Sequence, residues 1–367
     1  MNVKAAIALA PDQPFAIQDI QLDDPQDHEI LVKIKGVGIC HTDLVAKAGV
    51  LPPPHPSILG HEGAGIVEKI GAKVTSLAVG DHVVLSFVSC RQCARCTSDS
   101  PAYCENFVPL NILGVRADGS HTAKSQDTNI SAHFFGQSSF ATYALTSESN
   151  TIKVDKDLPI ELLGPLGCGI QTGAGSVIKA MACEEGSSLV IFGGGSVGLS
   201  ALLGAVVQKC STIILVEPME SRRQLALSLG ATHVIDPSTE DTEAAIRDIC
   251  EAGVNYGFDT TGISTVIETA IKILAPRGQL GLVGTVNPES PLPSFDPNAI
   301  LEGKTIRGIV EGEVDPQVFI PQILKEYKQG NFPFDRLITT YPFEQINEAI
   351  EAQHRGDCVK PVLLTEG

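Results

Sequence analysis

The chain has 367 residues, of which 43% are hydrophobic and 19% are charged. This is the composition of a folded globular protein, and the length is sufficient for two domains. The formal net charge of −17 disfavours nucleic acids and anionic membranes as partners, because both are negatively charged. Ten cysteines are too few for a disulfide scaffold, so we expect metal binding in a reducing compartment and a cytoplasmic location.

The first half of the chain contains short β-rich segments. "EILVKIKGVGI", "GAGIVEKI" and "VGDHVVLSFV" are nearly alternating runs bounded by glycine or proline, a pattern typical of a barrel or a partly open β-domain. From about Glu161, short apolar strands such as "TIILVEP" alternate with helical segments such as "ESRRQLALSLG". This alternation predicts an α/β region with a doubly wound parallel sheet. We expect the final helix and strand, "FEQINEAIEAQHRG" and "VKPVLL", to return to the first domain.

A glycine-rich turn lies between a strand and a helix in the second half. Gly193, Gly195 and Gly198 form the pattern G-x-G-x-x-G, with Val197 at the same turn as a further candidate contact. The first glycine permits the tight turn, the second lets a pyrophosphate approach the backbone, and the third lets the helix pack on the strand. The alternative is that the glycines only pack the turn. The uncharged stretch 189–207 is long enough to span a membrane, but the glycines interrupt it.

Glu217 ends the next strand at about the twenty-residue offset expected of the acid that binds the adenosine ribose. A carboxylate accepts hydrogen bonds from a ribose 2′-hydroxyl and repels a 2′-phosphate, so Glu217 favours NAD over NADP. Arg222 and Arg223 could attract a phosphate, which leaves NADP open. Arg222 is a candidate cofactor contact, whereas we interpret Arg223 as helix-surface charge.

Four cysteines follow the spacing C-x2-C-x2-C-x7-C within one short loop. Four thiolates suit a tetrahedral zinc ion with no open coordination position, which would be structural. An iron–sulfur cluster is an alternative, although its bacterial motif has a shorter last gap and a following proline, where this chain has Glu105. Free thiols or disulfides are a further alternative. The four residues are Cys90, Cys93, Cys96 and Cys104.

A second set of residues could form an open metal site. Cys40, His61 and Cys168 would supply two thiolates and one imidazole, with a fourth position left for water or substrate. Sequence spacing alone does not bring Cys168 to the other two residues. The residues by themselves leave buried structural cysteines as an equal alternative.

The order of these motifs resembles that of a known family. "GICHTDL", "GHEGAGIVEKIG", "VGDHVV", "CRQCARC", "GCGIQTGAG" and "GGGSVG" are similar to motifs of the zinc-dependent medium-chain alcohol dehydrogenases, over essentially the whole chain. "HFFGQSSFATYAL" and "ELLGPLGCGIQTGAG" most resemble the aryl-alcohol (benzyl alcohol) branch. The resemblance implies two zinc ions per subunit, one catalytic and one structural, and a homodimer or homotetramer.

The resemblance also implies the division of the chain into domains. We expect a GroES-like, β-rich catalytic domain over residues 1–169, with the structural zinc lobe at 87–106. A Rossmann NAD-binding domain should cover 170–309, and residues 310–367 should return to the catalytic domain.

Residue roles carried over from the family concern first the metal. Cys40, His61 and Cys168 would be the catalytic zinc ligands, and the four clustered cysteines would bind the structural zinc. Glu62 would lie near the catalytic metal and assist ligand exchange. Asp43 would orient His61.

Other roles concern the alcohol and the cofactor. Thr42 would accept the alcohol proton, His41 would face the cofactor pyrophosphate, and Lys360 would be a second basic cofactor contact. Phe134 would line the substrate pocket. Many relatives carry a histidine three residues after the threonine, where this chain has Val45, so the proton could leave through water, the ribose hydroxyls or His41.

The function implied is reversible oxidation of a primary, aromatic or allylic alcohol to the aldehyde with NAD. Alternatives are the same chemistry on short or medium aliphatic alcohols, an enzyme for secondary alcohols or polyols, and a non-catalytic NAD-binding protein. The last would be marked by loss of a catalytic ligand, and all candidates are present. The glutathione-dependent formaldehyde dehydrogenases carry an arginine shortly after the fourth lobe cysteine. Here Val108 occupies that position, which argues against a glutathione adduct as substrate.

Overall fold

The computed structural model describes residues 1–51, 53–284 and 297–365. The strands are β1 (Asn2–Ala8), β2 (Ala16–Leu22), β3 (Glu29–Gly38), β4 (Ser57–Ile58), β5 (Gly63–Ile70), β6 (His82–Leu85), β7 (Ala123–Ser125), β8 (Thr128–Ile130), β9 (Tyr143–Ser147), β10 (Thr151–Val154), β11 (Ser188–Phe192), β12 (Thr212–Val216), β13 (His233–Ile235), β14 (Val254–Asp259), β15 (Leu274–Leu282), β16 (Thr305–Gly308), β17 (Ile338–Pro342) and β18 (Lys360–Leu364). The α-helices are α1 (His41–Lys47), α2 (Ala94–Thr97), α3 (Phe107–Asn111), α4 (Gly169–Gly175), α5 (Ser196–Val207), α6 (Glu220–Leu229), α7 (Thr242–Ile249), α8 (Ser264–Lys272), α9 (Pro316–Lys328) and α10 (Ile346–Arg355).

The chain divides into two compact units. The first comprises Met1–Cys168, Asp315–Gln322 and Asp335–Gly367, and the second comprises Gly169–Val314 and Ile323–Phe334. The chain passes from the first unit to the second after Cys168, one residue before the expected boundary. The return to the first unit begins at Asp315 rather than at residue 310, and it is interrupted, because helix α9 begins in the first unit and ends in the second.

The first unit is built from two sheets. One has the strand order β4-β1-β2-β7-β8, and the other has the order β10-β6-β5-β3-β18-β17 with β9 also paired to β3. Strand β3 is almost fully buried along its length, since it pairs with β5, β9 and β18. The C-terminal strand β18 runs antiparallel to β3, with Val362 opposite Gly38. This pairing brings strand β18 beside the start of helix α1.

The described residues of the second unit form one sheet, and its neighbouring strands pair in parallel. Its order is β13-β12-β11-β14-β15-β16. Counted within the unit, this is the dinucleotide-binding order 3-2-1-4-5-6, which reverses between β11 and β14. The predicted doubly wound parallel sheet is therefore confirmed. Ligands bind such sheets in the crevice at the carboxyl ends of the strands, where the order reverses.

The uncharged stretch 189–207 forms strand β11, a glycine turn and helix α5. Strand β11 and most of α5 are buried inside the second unit, which explains why the stretch is apolar. Within the described residues, no helix combines the length and apolarity needed to cross a membrane.

Candidate active site

Asp43 lies in the first turn of helix α1 and is completely buried. Its Oδ2 accepts a hydrogen bond from the Cys40 backbone N–H at 3.0 Å, and its Oδ1 accepts one from the Gly60 N–H at 3.0 Å. The same Oδ1 lies 2.8 Å from Nδ1 of His61. Because a carboxylate only accepts, Nδ1 carries a proton, and Nε2 of the neutral ring is left with the lone pair that binds a metal. Asp43 thus orients His61 as the resemblance implied.

Nε2 of His61 faces a cluster of potential metal ligands. One ligand-type atom from each of Cys40, His61, Glu62 and Cys168 lies within 4.8 Å of the others. Nε2 is buried and has no hydrogen-bond partner among the described residues, although buried polar atoms are normally paired. Two thiols and an imidazole with an orphaned nitrogen form the donor set that zinc prefers. The tertiary structure therefore brings together the three residues that the sequence spacing could not.

Glycines bring Cys168 to this cluster by allowing two chain segments to touch. A Cβ on Gly164 would lie 2.1 Å from the Glu62 carbonyl oxygen, and one on Gly167 would lie 1.9 Å from the Leu85 carbonyl oxygen. The Ser86 hydroxyl donates to the Gly167 carbonyl at 2.6 Å. Any larger residue at either glycine would displace the loop that carries Cys168.

The pKa values of the ligands respond to this crowding. The pKa of Cys40 is held well below its ordinary value, first by a hydrogen bond from Cys168 and then, against the effect of burial, by the charges of His61 and Lys360. Burial lowers the pKa of His61, but the charges of Asp43 and Cys40 outweigh it and hold that pKa well above its ordinary value. Thiolate is the form that binds metal, and metal binding at His61 would release a proton.

Lys360 and Glu62 form an ion pair next to the ligands. The Lys360 ammonium, 1% exposed, donates to both Glu62 carboxylate oxygens at 2.9 Å and to the Ile39 carbonyl at 3.0 Å. Burial raises the pKa of Glu62, and Lys360 partly offsets this effect. Burial also opposes the charge of Lys360, but Glu62 outweighs it and raises the Lys360 pKa to about 12. Lys360 therefore keeps its charge near neutral pH.

The structure places Lys360 inside the first unit, and its predicted contact with the cofactor remains a prediction. Its ammonium is buried among three acceptors of the first unit, because a carboxylate removed from water requires a counter-charge. The sequence interpretation missed this partnership, since Lys360 and Glu62 are brought together only by the pairing of β18 with β3.

Two phenylalanines pack on the His61 imidazole. The Phe135 ring stacks on it with centroids 4.5 Å apart, and the Phe134 ring meets it edge-on at 5.7 Å. Phe134 is fully buried and Phe135 is 5% exposed. Phe135 has φ of +51°, a left-handed conformation that is uncommon for a bulky residue and often marks a functional site. Phe134 thus lies at the metal cluster, and Phe135, which the sequence interpretation missed, lies there too.

Gln137 was also missed by the sequence interpretation. Its amide donates to the His61 carbonyl at 2.9 Å, and its Oε1 accepts from the Gly63 N–H at 3.1 Å. It therefore holds the backbone that carries both His61 and Glu62. The only sequence signal was its place two residues after the two phenylalanines.

Thr42 and His41 begin helix α1. The Thr42 hydroxyl is 3.9 Å from the Cys40 sulfur, and the side chain is half-buried. His41 is exposed. The geometry puts Thr42 beside a metal ligand, whereas the predicted contact of His41 with a pyrophosphate remains a prediction.

The four clustered cysteines form a separate lobe. Their sulfurs are 3.5 Å (Cys93–Cys96), 3.9 Å (Cys90–Cys96) and 4.0 Å (Cys93–Cys104) apart. Ligands bound tetrahedrally at about 2.3 Å from one zinc ion would be about 3.8 Å apart. The match favours one ion over an iron–sulfur cluster, whose ligands bind different irons and lie farther apart. The Gln92 N–H is the main cause that lowers the pKa of Cys90 to about 6.

In the second unit, the three predicted glycines occupy three different environments. Gly193 has φ of +97°, a backbone conformation that would be strained for any residue with a side chain. A Cβ on Gly195 would meet nothing within 4 Å, and one on Gly198 would lie 1.9 Å from the Gly193 carbonyl oxygen. The turn therefore needs the first glycine for its conformation, leaves the second open to a ligand, and packs helix on strand at the third. Val197 is half-buried in the first turn of α5.

Glu217 faces a cavity of about 640 Å³ that Gly193, Gly195 and Arg222 also line. Its two carboxylate oxygens accept hydrogen bonds from the N–H groups of Gly194, at 2.6 Å, and Met219, at 2.9 Å. Nε of Arg222 is buried and has no hydrogen-bond partner among the described residues. The cavity is large enough for the adenosine part of a dinucleotide.

Arg223 is not the surface charge that the sequence predicted. Its guanidinium donates to the carbonyls of Glu217 and Pro218 and forms an ion pair with Asp236 at 3.0 Å. With its side chain only 15% exposed, Arg223 holds the turn that follows β12.

Both parts of the chain are similar to known protein families. Residues 26–156 match the family model "Alcohol dehydrogenase GroES-like domain", and residues 196–328 match "Zinc-binding dehydrogenase". A geraniol dehydrogenase of Castellaniella defragrans is 46% identical over 366 residues, which is 99% of this chain and 98% of that protein. The chain belongs to the zinc-dependent medium-chain alcohol dehydrogenases.

Two solved alcohol dehydrogenase structures match this family member along both full chains. One is benzyl alcohol dehydrogenase from Acinetobacter calcoaceticus, with 46% identity and a TM-score of 0.96. The other is an alcohol dehydrogenase zinc-binding domain protein from Burkholderia ambifaria, with 47% identity and a TM-score of 0.97. These matches confirm the GroES-like and Rossmann fold class and the resemblance to the benzyl alcohol branch. The chain is thus an alcohol dehydrogenase of the zinc-dependent family.

Proposed function

We propose that this alcohol dehydrogenase reversibly oxidises primary allylic or aromatic alcohols to aldehydes with NAD, and that each subunit holds two zinc ions. The observation that carries the proposal is the orphaned Nε2 of His61, which faces two cysteine ligands and is covered by Phe134 and Phe135. The names of the two relatives, geraniol and benzyl alcohol dehydrogenase, support an allylic or aromatic substrate.

Cys40, His61 and Cys168 would hold the catalytic zinc, and the lobe cysteines would hold the structural zinc. The catalytic zinc, when bound, supplies a Lewis acid that polarises the alcohol hydroxyl and lowers its pKa. The chain supplies orientation: Asp43 keeps the His61 Nδ1–H directed away from the metal side. The buried pair of Glu62 and Lys360 adds no net charge to the site.

The alcohol proton would be accepted by the Thr42 hydroxyl, which lies beside Cys40. Val45 cannot carry a proton onward, so the route from Thr42 must use water, the cofactor's ribose hydroxyls or another base. His41 is exposed at the start of the same helix, and an imidazole nitrogen can accept a proton and pass it to water. We assign the final transfer to His41.

NAD would bind to the second unit, where it supplies the hydride acceptor. The turn at Gly195 would receive the pyrophosphate at the start of helix α5. The Glu217 carboxylate is held by two backbone N–H groups. It would accept hydrogen bonds from the ribose hydroxyls and repel a 2′-phosphate. The unpartnered Nε–H of Arg222 would donate a hydrogen bond to the cofactor.

A substrate panel tests the proposal. NADH formation should be fast with benzyl, cinnamyl and geranyl alcohols and slow with ethanol, with 2-propanol and glycerol as controls. Efficient ethanol oxidation would indicate that the substrates are short aliphatic alcohols instead. If zinc-replete protein oxidised none of these alcohols, the proposed function would be wrong.

A pair of cysteine variants links the activity to the metal site. Cys168→Ser should lose one zinc per chain together with the activity. Cys358→Ser, also at a buried cysteine of the first unit but outside both clusters, should retain both. Equal activity of the two variants would contradict the assignment of Cys168.

Assembly and location are parts of the same proposal. A homodimer or homotetramer is expected from the family resemblance, and sedimentation equilibrium measures which is present. None of the ten cysteines, all in the described part of the chain, is in a disulfide. This supports a reducing compartment such as the cytoplasm.

A further inference from the structure

Two cysteines of the second unit meet outside both metal-ligand clusters. Cys183 lies between helix α4 and strand β11, and Cys210 lies between helix α5 and strand β12. A hydrogen bond joins their side chains, and neither is in a disulfide. Cys183 is 1% exposed, whereas Cys210 is half-buried. Two reduced thiols therefore lie in contact where one of them can be reached from solvent.

The backbone holds the two cysteine segments side by side. The Gly186 N–H donates to the Lys209 carbonyl at 2.9 Å. The side-chain amide of Gln208 donates to the Cys183 carbonyl, also at 2.9 Å. Both hydrogen bonds run between the chain around Cys183 and the chain around Cys210, so the fold itself keeps the two thiols together.

The surroundings give the two thiols different acidities. The hydrogen bond from Cys183 is the main cause that lowers the pKa of Cys210 to about 7, and Ser187 adds to it against the effect of burial. The Ser187 hydroxyl lies 3.5 Å from the Cys210 sulfur. The same hydrogen bond, together with burial, raises the pKa of Cys183. Near neutral pH, Cys210 is therefore the thiolate, which is the form that reacts with oxidants, and Cys183 keeps its proton.

We propose that Cys183 and Cys210 are a redox-active pair, in which a peroxide oxidises Cys210 and Cys183 then closes a disulfide with it. The Cys210 thiolate attacks one oxygen of hydrogen peroxide and the O–O bond breaks. The hydroxide that leaves takes up a proton to form water, and Cys210 becomes a sulfenic acid. The Cys183 sulfur then attacks the Cys210 sulfur, the S–O bond breaks, and the hydroxide leaves as water with the Cys183 proton. Two thiols are oxidised and one peroxide is reduced to two water molecules.

The disulfide would join the two ends of the segment that forms the glycine turn. Strand β11 begins at Ser188, shortly after Cys183, and helix α5 ends at Val207, shortly before Cys210. The closed loop would contain the strand, the turn at Gly193 and the helix. A disulfide stabilises a fold by limiting the freedom of the unfolded chain. Oxidation should therefore stabilise the segment, and it should also protect Cys210 from irreversible oxidation to the sulfinic acid.

Peptide mapping of the full chain detects the disulfide without measuring activity. Trypsin cleaves after Lys179, Lys209 and Arg222, so the two thiols fall into the peptides 180–209 and 210–222, each with a single cysteine. The protein is treated briefly with hydrogen peroxide, and the remaining thiols are alkylated. We expect the two peptides to be linked, with a mass equal to their sum less two hydrogens, and reduction should separate them.

Two variants separate a redox pair from general cysteine oxidation. Cys183→Ser keeps a hydrogen-bond donor but cannot form the disulfide, so Cys210 should accumulate as a sulfenic acid that dimedone traps, and then as the sulfinic acid. Cys250→Ser is the matched control. Cys250 is also half-buried in the second unit, but its hydrogen-bond partner is Ser188 rather than a cysteine. This control should form the linked peptides as the wild type does.

Urea unfolding tests the effect on stability. The change of the unfolding midpoint on peroxide treatment should be more positive for the wild type than for Cys210→Ser, because only the wild type can close the loop. Since both proteins carry the same other cysteines, oxidation elsewhere in the chain affects them equally. Equal changes of the midpoint would overturn the stabilising role.

Three results would overturn the redox pair. One is the absence of linked peptides at a peroxide dose that oxidises Cys250 in the same protein. Another is a Cys210 that is linked to other cysteines as often as to Cys183. The third is a wild type that forms as much sulfinic acid at Cys210 as Cys183→Ser does. Because the linkage is measured directly, these results do not depend on which alcohol the protein oxidises.

Discussion

Replacing Asp43 by asparagine tests how the protein prepares His61 for a metal. The buried carboxylate faces three donors, namely the N–H groups of Cys40 and Gly60 and Nδ1 of His61. An asparagine has nearly the same shape but only one acceptor oxygen. If that oxygen faces Gly60 and His61, the amide NH2 lies against the Cys40 N–H, so that two donors face each other and the hydrogen bond is lost. In the other orientation Nδ1 must accept, so the proton moves to Nε2 and blocks the metal-binding nitrogen.

The size of the effect follows from the lost hydrogen bond. A hydrogen bond to a charged group contributes about 1.5–3 kcal/mol. Since about 1.4 kcal/mol corresponds to a factor of ten in an equilibrium constant, zinc affinity should fall about 10- to 100-fold. This agrees with the loss of about 10- to 100-fold usually caused by removing the partner of a metal-binding histidine.

Zinc affinity of Asp43→Asn is measured by competition with a chelator, alongside kcat/KM for benzyl alcohol. Asp81→Asn is the matched control. Asp81 is also buried, accepts from the Ala78 N–H at 3.0 Å and pairs with Lys153 at 2.8 Å, and neither partner is a site residue. The control should lose some thermal stability and no zinc affinity. Wild-type zinc affinity in a folded Asp43→Asn protein would refute the reasoning.

Three further predictions concern the cofactor, the lobe and pH. Glu217→Gln removes the charge that repels a 2′-phosphate, so the ratio of kcat/KM for NAD over NADP should fall about tenfold, as for a charge interaction of about 1.4 kcal/mol; an unchanged ratio would contradict this. Cys104→Ser should lose one zinc per chain and lower the unfolding midpoint, whereas Cys358→Ser should keep both zinc ions; similar behaviour of the two would be inconsistent with a four-thiolate site. Burial lowers the pKa of His133 from 6.5 to about 4. Between these pH values the unfolded chain is protonated at His133 and the folded chain is not. The free energy of unfolding should therefore fall by up to about 3 kcal/mol as the pH drops from 6.5 to 4. Urea unfolding of His133→Gln should show a weaker dependence in that interval, and equal slopes would show the prediction to be wrong.

Sites built from neighbouring residues could be predicted from the sequence. The glycine turn, the acid at the end of the next strand and the four clustered cysteines each lie in one short stretch, so local chain geometry nearly determines their arrangement. Gly193 adopts the left-handed φ that its place in the motif requires. The lobe sulfurs also lie at the spacing of a single tetrahedral ion. The alternation of strands and helices likewise predicted the parallel sheet, because buried strands and amphipathic helices have different periods.

Arg223 shows where local interpretation fails. Its sequence neighbours resemble an exposed helix, yet its guanidinium binds two carbonyls and Asp236. Asp236 follows the next strand, β13, so the ion pair exists only because β12 and β13 are neighbours in the sheet. A helical pattern indicates which face is polar, but not what a long side chain on that face will reach.

The sequence by itself determined the fold class, the position of the glycine turn, the cysteine lobe and the candidates for the metal ligands. Only the tertiary structure decided that Cys168 joins Cys40 and His61, that Phe135 stacks on the imidazole, and that Lys360 pairs with Glu62. These contacts join segments far apart in the chain and depend on strand pairing and on glycines that permit close approach. They also depend on burial, because a carboxylate taken out of water must find a cation, and nothing in the local sequence says which one.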